Sequence, residues 1–549
     1  MMRDTTNIYK RTIFIFSIFI IFYLIIIITL YYIQIKKSEF FTRLGAQQYN
    51  ITITTTPARA YIYDRNNTPI ALNKDSWSAF ILPKEITFKD ATEKFLKTHF
   101  PEGFERLQQT SGKQYFIFIK RRLSPEDLEL IAQSNVPDIH VLKEPSRYYP
   151  YASLGTVLGG TDIDNKGIFG VEQKFNELLS GTPTQQHLQQ DAKSNHFYFE
   201  HETLVEGEKG IPLTLTLDAD LQFKIQEIIN QDIKDLGAQE AGALILNPET
   251  GEVDAMVSYP YFNPNETSNV NIETTKNRPV AQAFELGSVI KVFSALAALQ
   301  EHVTTIDEMI NCENTLETKV DGIRVRTVKE NGIIPFSQVI QDSNNIGTVK
   351  VVKRLGADLY YYFKLVGFGD FTNIELPGEH KGFVNHPDNW SAYSIISLSY
   401  GYEITTTLIQ LARATAAIAN GGYLIHPTII KKESYPAKTD KILHDDTLRD
   451  LHIILEKSVI EGTGKRAHIK GYTILGKTGT ANILENGKYN ENRHLYTFIG
   501  WIEKDDYKRV IVTYVKETDH EHKRYAASIT APLFRKIAEA LLIHDHIII

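Results

Sequence analysis

Residues 12–35, TIFIFSIFIIFYLIIIITLYYIQI, form one unbroken apolar run without a charge. As a helix it is long enough to cross about 30 Å of hydrocarbon with some tilt. A cleaved signal peptide or a buried soluble helix could carry a similar run. Against the first stand a stretch longer than a usual signal core and the lack of a small-residue cleavage site before Lys36 and Lys37. No other apolar run is long enough to span a bilayer, so the pattern predicts a single uncleaved anchor followed by one soluble body.

Behind the anchor the pattern changes near residue 210. Over residues 45–208, short β-rich pieces such as YIYD (61–64) and YFIFI (115–119) alternate with a helix opened by Ser124-Pro125-Glu126. From residue 210 the periodicity strengthens. LTLTLD (213–218) ends in a predicted N-cap, after which Leu221, Ile225, Ile228, Ile229, Ile233 and Leu236 recur at helical spacing. AGALILN and VDAMVSY, joined by Pro248-Glu249-Thr250-Gly251, read as a hairpin. YTFIGWI (496–502) and RVIVTYV (509–515) are two further strands, and a helix over about 527–543 closes the chain. Strands at both ends of this half with helices between them predict an α+β sheet domain with a helical insert.

Composition narrows the function without naming it. A chain of 549 residues exceeds one hydrophobic core, and 42% hydrophobic content with 28 Tyr and 28 Phe predicts order nearly throughout. The net charge of -7 gives no basic footprint for nucleic acid. The single Cys312 excludes an intramolecular disulfide and reads as a small packing residue.

The chemistry is concentrated in three strings. FELGSVIKVFSALAAL (284–299) places Ser288 and Lys291 three residues apart, hence on one helix face, in an otherwise apolar run. A buried lysine loses its proton more readily than a solvated one and can then serve as base for a serine nucleophile. Alone the pair is weak, since such a spacing arises on the order of once or twice in a chain of this length, and a lysine snorkelling from a core helix would look the same. The second string, QDSNNIG, offers Ser343 and Asn345 as proton relay and amide holder, or else as a plain helix cap. The third, YTILGKTGTANI, continues a strand with Lys477 as a positive charge for a carboxylate and Thr478 and Thr480 as hydroxyls, while Gly479 is read as leaving space for another chain against the strand edge.

SxxK, SxN and KTG in this order resemble the motif set of penicillin-binding proteins. The resemblance extends over almost everything after the anchor: ARAYIYDRNNTPIA (58–71), RYYP (147–150), GIFGVEQKFNELLSGTP (167–183), NPETGEVDAMVSYP and SYGYEITTTLIQLARATAAIANGG (399–422) are similar to blocks of the class B proteins. The GYEI and RYYP segments and the compact length lie nearer the septal, cell-division branch than the elongation branch. Three positions depart from the family pattern, Leu286 before Gly287-Ser288, Ala60 after Arg59, and Asn67 in the Asp64-Arg65-Asn66 turn; they bear on turn geometry rather than chemistry.

The resemblance implies a short cytoplasmic tail (1–11), a transmembrane anchor (12–35), an elongated mixed α/β pedestal (36–209) and a transpeptidase domain (210–549) built on an antiparallel sheet flanked by helices. It implies Ser288 as nucleophile, Lys291 as base, Ser343 and Asn345 in the proton path and peptide orientation, Lys477, Thr478, Gly479 and Thr480 along the donor peptide, and the backbone NH groups of Ser288 and Thr480 as oxyanion hole. The reaction expected is peptidoglycan D,D-transpeptidation through a serine acyl-enzyme, blocked by β-lactams and needing no cofactor or metal. His520-Glu521-His522 and His544-Asp545-His546 have a metal-like spacing but no supporting motif. Charges flank the anchor almost equally, so the N-in, C-out topology follows from the substrate, which lies outside the cytoplasmic membrane. Implied partners are stem peptides, a SEDS-family lipid II polymerase and other divisome membrane proteins. An elongation-type enzyme, a hydrolase of the same site, and a non-enzymatic β-lactam-binding scaffold or sensor are the competing readings.

Overall fold

In the computed structural model, all residues are described except 1–2, 43–49, 56, 85, 110–115, 191–196, 267–269, 436–437, 439–440, 486, 517–524 and 548–549. The chain divides into two units, residues 1–58 with 180–210 and residues 59–179 with 211–549.

The first unit opens with a helix, Arg3–Tyr31, that continues through a π-helical turn, Tyr32–Lys36. Its apolar side chains are exposed all round, which rules out a buried soluble helix and fits a single-pass membrane anchor. The hydroxyls of Thr12, Ser17 and Thr29 donate to the carbonyls one turn earlier at 3.0, 2.8 and 2.8 Å, so these polar groups are satisfied within the helix, as a bilayer demands. Strands Asn50–Thr55, Thr184–Gln190 and Phe197–Val205 form an antiparallel sheet in which Ile51 stands opposite Leu188.

In the second unit, four strands of residues 59–179 and the short strand Leu213–Thr214 build a five-stranded sheet around the long strand Pro69–Ile81, with Ile117–Lys120 and His140–Tyr148 paired to it. The helix expected at Ser124 runs over Pro125–Gln133 and starts with a capping box between Ser124 and Asp127. Tyr115 of the expected 115–119 piece lies outside the described residues, as does His520-Glu521-His522. Two buried charge clusters organise this part. Glu172, fully buried, accepts from Arg59 Nε at 2.5 Å and from Arg147 Nε at 2.7 Å. Asp254, also buried, is held by Arg65 and, at 2.6 Å, by Arg509, so a residue of the segment 59–179 is fastened to the sheet described next. Asn67 adopts a φ of 63° in the turn after Asp64, a conformation asparagine tolerates better than most side chains. The turn therefore closes without the usual glycine.

Helix α1 (Ala219–Leu236), N-capped by Asp218, precedes strands β1 (Glu240–Leu246) and β2 (Val253–Tyr259), the expected hairpin. Helices α2 (Lys291–Gln300), α3 (Phe336–Gln341), α4 (Asn345–Val352), α5 (Leu408–Ala419) and α6 (Asp445–Ile460) follow. Strands β3 (Thr473–Glu485), β4 (Lys488–Lys504) and β5 (Tyr507–Lys516) then precede α7 (Thr530–His544). The antiparallel order is β2-β1-β5-β4-β3, with β3 at an edge. Period-two alternation on β5 sends Val510, Val512 and Tyr514 into the core with α2 and α5, and Ile511 and Val515 into the core with α1 and α7. The closing helix begins at Thr530 rather than 527, because a separate 3₁₀ turn, Ala526–Ser528, precedes it.

Candidate active site

Ser288 sits in a 3₁₀ turn, Gly287–Ile290, that runs directly into α2. The turn is fixed by close backbone approaches. Gly287 has a φ of 56°, and a side chain there would meet the carbonyl of Thr480 at 2.4 Å. A side chain on Gly479 would meet the carbonyl of Leu286 at 2.5 Å and Val289 N at 3.0 Å. This corrects the reading of Gly479: the space its missing Cβ leaves is filled by the turn that carries Ser288, so the glycine locks the KTG strand to the nucleophile's own element. Leu286, the departure from the family pattern, is buried and ends its residue in a helical backbone conformation leading into that turn.

Lys291 is fully buried, and every residue of α2 is buried with it. Its Nζ donates to the carbonyl of Ser343 at 2.6 Å and lies 3.1 Å from the Ser343 hydroxyl. Burial, with the charge of Lys477 adding to it, holds Lys291 well below the ordinary lysine value. The neutral amine that a general base requires is thereby favoured. Ser343 itself has a φ of 61°, a strained conformation at the junction of α3 and α4.

The capping role falls to Asn344, whose Oδ1 accepts from Gly347 N at 2.9 Å, and this leaves its neighbours for the cleft. Asn345 donates its side-chain NH₂ to the Arg326 carbonyl at 2.6 Å and its backbone NH to Thr327 at 3.2 Å. The side-chain amide is thus aimed by the last residue of the hairpin formed by Glu317–Val320 and Ile323–Arg326. Lys477 is fully buried on β3, and its pKa is lowered by burial to about 7, with the Asp342 carboxylate acting in the opposite direction. Asp342 is held in turn by Lys329 at 2.8 Å and Asn331 at 2.9 Å. Thr478 donates to Thr463 at 2.7 Å, and Thr480 Oγ1 accepts from Ala526 N at 3.3 Å.

Ser288, Ser343, Asn345, Thr478 and Thr480 open onto one cleft of about 470 Å³. Lys291 lies behind it, reached through Ser343. Residues the motif reading missed also line the cleft: Val328, Thr463, Asn482, His494 and Tyr525. Asn482 was legible, because it shares the period-two face of Thr478 and Thr480, and His494 stands opposite it in the strand register. Thr463 and Tyr525 come from distant segments and carry no sequence signal. His544 donates or accepts at 3.0 Å with Asp218, at the start of α1 and away from this cleft.

Residues 241–539 match the family described as the penicillin binding protein transpeptidase domain, and residues 54–215 match the penicillin-binding protein dimerisation domain. The chain is 29% identical over 554 residues to stage V sporulation protein D of Bacillus subtilis, covering 96% of this chain and 84% of that one. It is 29% identical over 568 residues to peptidoglycan D,D-transpeptidase FtsI of Buchnera aphidicola, covering 98% and 96%. Among solved structures, penicillin binding protein 3 of Mycobacterium tuberculosis in complex with aztreonam aligns with a TM-score of 0.68 at 25% identity, over 90% of this chain and 98% of that one. A membrane-anchor helix, a dimerisation-type segment and a transpeptidase domain follow one another in this order, and the chain belongs to the penicillin-binding proteins, in their class B form.

Proposed function

We propose that this protein is a serine D,D-transpeptidase that crosslinks peptidoglycan stem peptides during septal wall synthesis. The observation that carries the reading is the fully buried Lys291, one turn from Ser288 and tied to Ser343, behind a cleft whose far wall is the edge strand bearing Lys477, Thr478 and Thr480. Relatives named as peptidoglycan D,D-transpeptidases support it.

In this reading Ser288 Oγ attacks the carbonyl of the penultimate D-alanine while its proton passes to neutral Lys291. The donor peptide adds as a further strand along β3, its terminal carboxylate meeting the hydroxyls of Thr478 and Thr480, with the buried Lys477 behind them supplying positive charge. Backbone NH groups of Ser288 and Thr480 receive the developing oxyanion, a contribution of about 3 kcal/mol per donor in comparable sites. The Ser343 hydroxyl returns the proton to the leaving nitrogen, D-alanine departs, and an ester on Ser288 remains. An amine of a neighbouring stem then forms the amide as the ester bond breaks. A β-lactam acylates Ser288 in the same way and leaves slowly.

The division into tail (1–11), anchor (12–35), pedestal (36–209) and transpeptidase domain (210–549) belongs to the same proposal, as do a cytoplasmic N-terminus and a catalytic domain on the outer face. A SEDS-family lipid II polymerase and divisome membrane proteins are the proposed partners, met through the anchor and the pedestal. Intact-protein mass spectrometry of the full chain in detergent with a penicillin, followed by peptide mapping, tests the reading. A stable adduct on Ser288 that is absent from Ser288→Ala supports it. Labelling that persists in the variant sinks the nucleophile assignment, and an adduct lost within seconds of formation points to a hydrolase.

A further inference from the structure

A second groove, of about 250 Å³, meets the Ser288 cleft at Asn482, which lines both. One wall is the segment 282–285 that leads into the Ser288 turn; the other is the β3–β4 hairpin with Ile483, Leu484 and Leu495. Among the described residues, two charged ones line it. Lys516 is committed to Glu240 at 2.9 Å. Glu285, three residues ahead of Ser288, is half-buried and differently placed: its Oε1 alone accepts both from Glu403 N at 3.0 Å and from the Tyr489 hydroxyl at 3.1 Å. Its Oε2 accepts no hydrogen bond from the described residues.

A carboxylate with an unused oxygen, set beside leucine side chains in a groove that opens into the acylation cleft, is complementary to one ligand chemistry: a primary ammonium at the end of an aliphatic chain. Resting on the transpeptidase reading above, we infer that this groove receives the acceptor stem, with the methylenes of its amine-bearing side chain along Leu484 and Leu495 and its ammonium held by Glu285. Burial raises the Glu285 carboxyl above its ordinary value, and the neighbouring Glu403 charge adds to this, so an arriving cation meets a carboxylate in need of a counter-charge. On transfer, the amine nitrogen bonds to the acyl carbon as the ester bond to Ser288 Oγ breaks. Of the two protons the ammonium sheds, one returns to Ser288 Oγ and one leaves to solvent.

The test uses the full chain in detergent micelles, acylated by a thioester donor ending in a D-alanine analogue. The two acceptors compete: Nα-acetyl-lysinamide, which carries its amine at the end of a long methylene chain, and glycinamide, whose amine sits on a single methylene. The readout is the ratio of the two amide products, which is independent of how much enzyme is acylated. Wild type should favour the lysine acceptor, and Glu285→Gln should lower the ratio about tenfold, the worth of a charge-assisted hydrogen bond. An unchanged ratio in Glu285→Gln overturns the inference. Should that variant fail to acylate, Leu484→Asn at the groove rim decides: a fall in the ratio supports the groove, and no fall rejects it. If wild type acylates and makes both amides without preference, the groove assignment fails while the transpeptidase reading stands; if wild type forms no amide with either, the transpeptidase reading itself fails.

Discussion

Lys291 Nζ lies 2.6 Å from the carbonyl oxygen of Ser343 and 3.1 Å from its hydroxyl, so the buried lysine is anchored by the backbone of the very residue whose side chain it shares with the cleft. The carbonyl fixes where the amine sits, and the hydroxyl is left to move a proton. Removing the lysine should therefore cost far more than removing the hydroxyl. Lys291→Met is expected to slow penicillin acylation by about 10²–10⁴-fold, whereas Ser343→Ala, which keeps the carbonyl, should cost about tenfold. Stopped-flow acylation with a fluorescent penicillin reads both, and equal losses would remove the distinction.

The two buried lysines act in opposite protonation states, which sets the pH profile. A base works when neutral, so acylation rises with pH as Lys291 loses its proton. A carboxylate anchor works when charged, so acylation falls as Lys477 titrates near about 7. The second-order rate constant should be bell-shaped. Because the Asp342 charge raises Lys477, Asp342→Asn should move the descending limb to lower pH. A limb that stays in place would show that Lys477 is not the group titrating.

Lys477 also costs stability where it stands. Its folded value lies below that of an unfolded lysine, so the unfolded chain holds the proton more tightly between the two. The penalty is complete below about 7 and is relieved as pH rises toward the ordinary lysine value. Lys477→Met should raise Tm, most strongly at and below neutral pH, while weakening acylation. A gain in Tm that grows with pH would contradict this account.

Gly479→Ala tests the lock between strand and nucleophile. The new Cβ would stand 2.5 Å from the Leu286 carbonyl, so the Ser288 turn must shift. Acylation should fall by about 10²-fold, as expected for a misplacement near 1 Å, with a stability loss of about 1–3 kcal/mol. Wild-type acylation in this variant would return Gly479 to the role of substrate clearance.

Glu172 holds two arginines in the interior, Arg59 and Arg147. Glu172→Gln leaves both charges buried without their carboxylate and should cost about 3–5 kcal/mol. Thermal melts of the full chain in detergent should show a large fall in Tm. A change within the scatter of surface substitutions would mean that the cluster relaxes into solvent.

Much of this was written in the chain. Leu221, Ile225, Ile229 and Ile233 recur with the helical period and are buried on α1, and residues 510–515 alternate between the two cores of the sheet. The three motifs stand out because lysine and serine are rare inside apolar runs. The sheet of residues 50–55, 184–190 and 197–205 was not legible, since TQQHLQQ has no apolar alternation to mark a strand. Thr463, Val328 and Tyr525 reach the cleft through tertiary folding alone. Gly479 was misread for a physical reason: an absent side chain marks a close approach but does not say by what.

The strand order β2-β1-β5-β4-β3 places the last strand made, β5, at the centre. Among the described residues, the hairpins β1–β2 and β3–β4 join in the sheet through it, with Leu246 pairing to Val510 across most of the domain. A ribosome that has finished Thr480 has therefore written every catalytic motif without yet having joined the sheet's two halves. Chains that stall before residue 507 carry Ser288, Lys291 and Lys477 but not the strand that unites their scaffold.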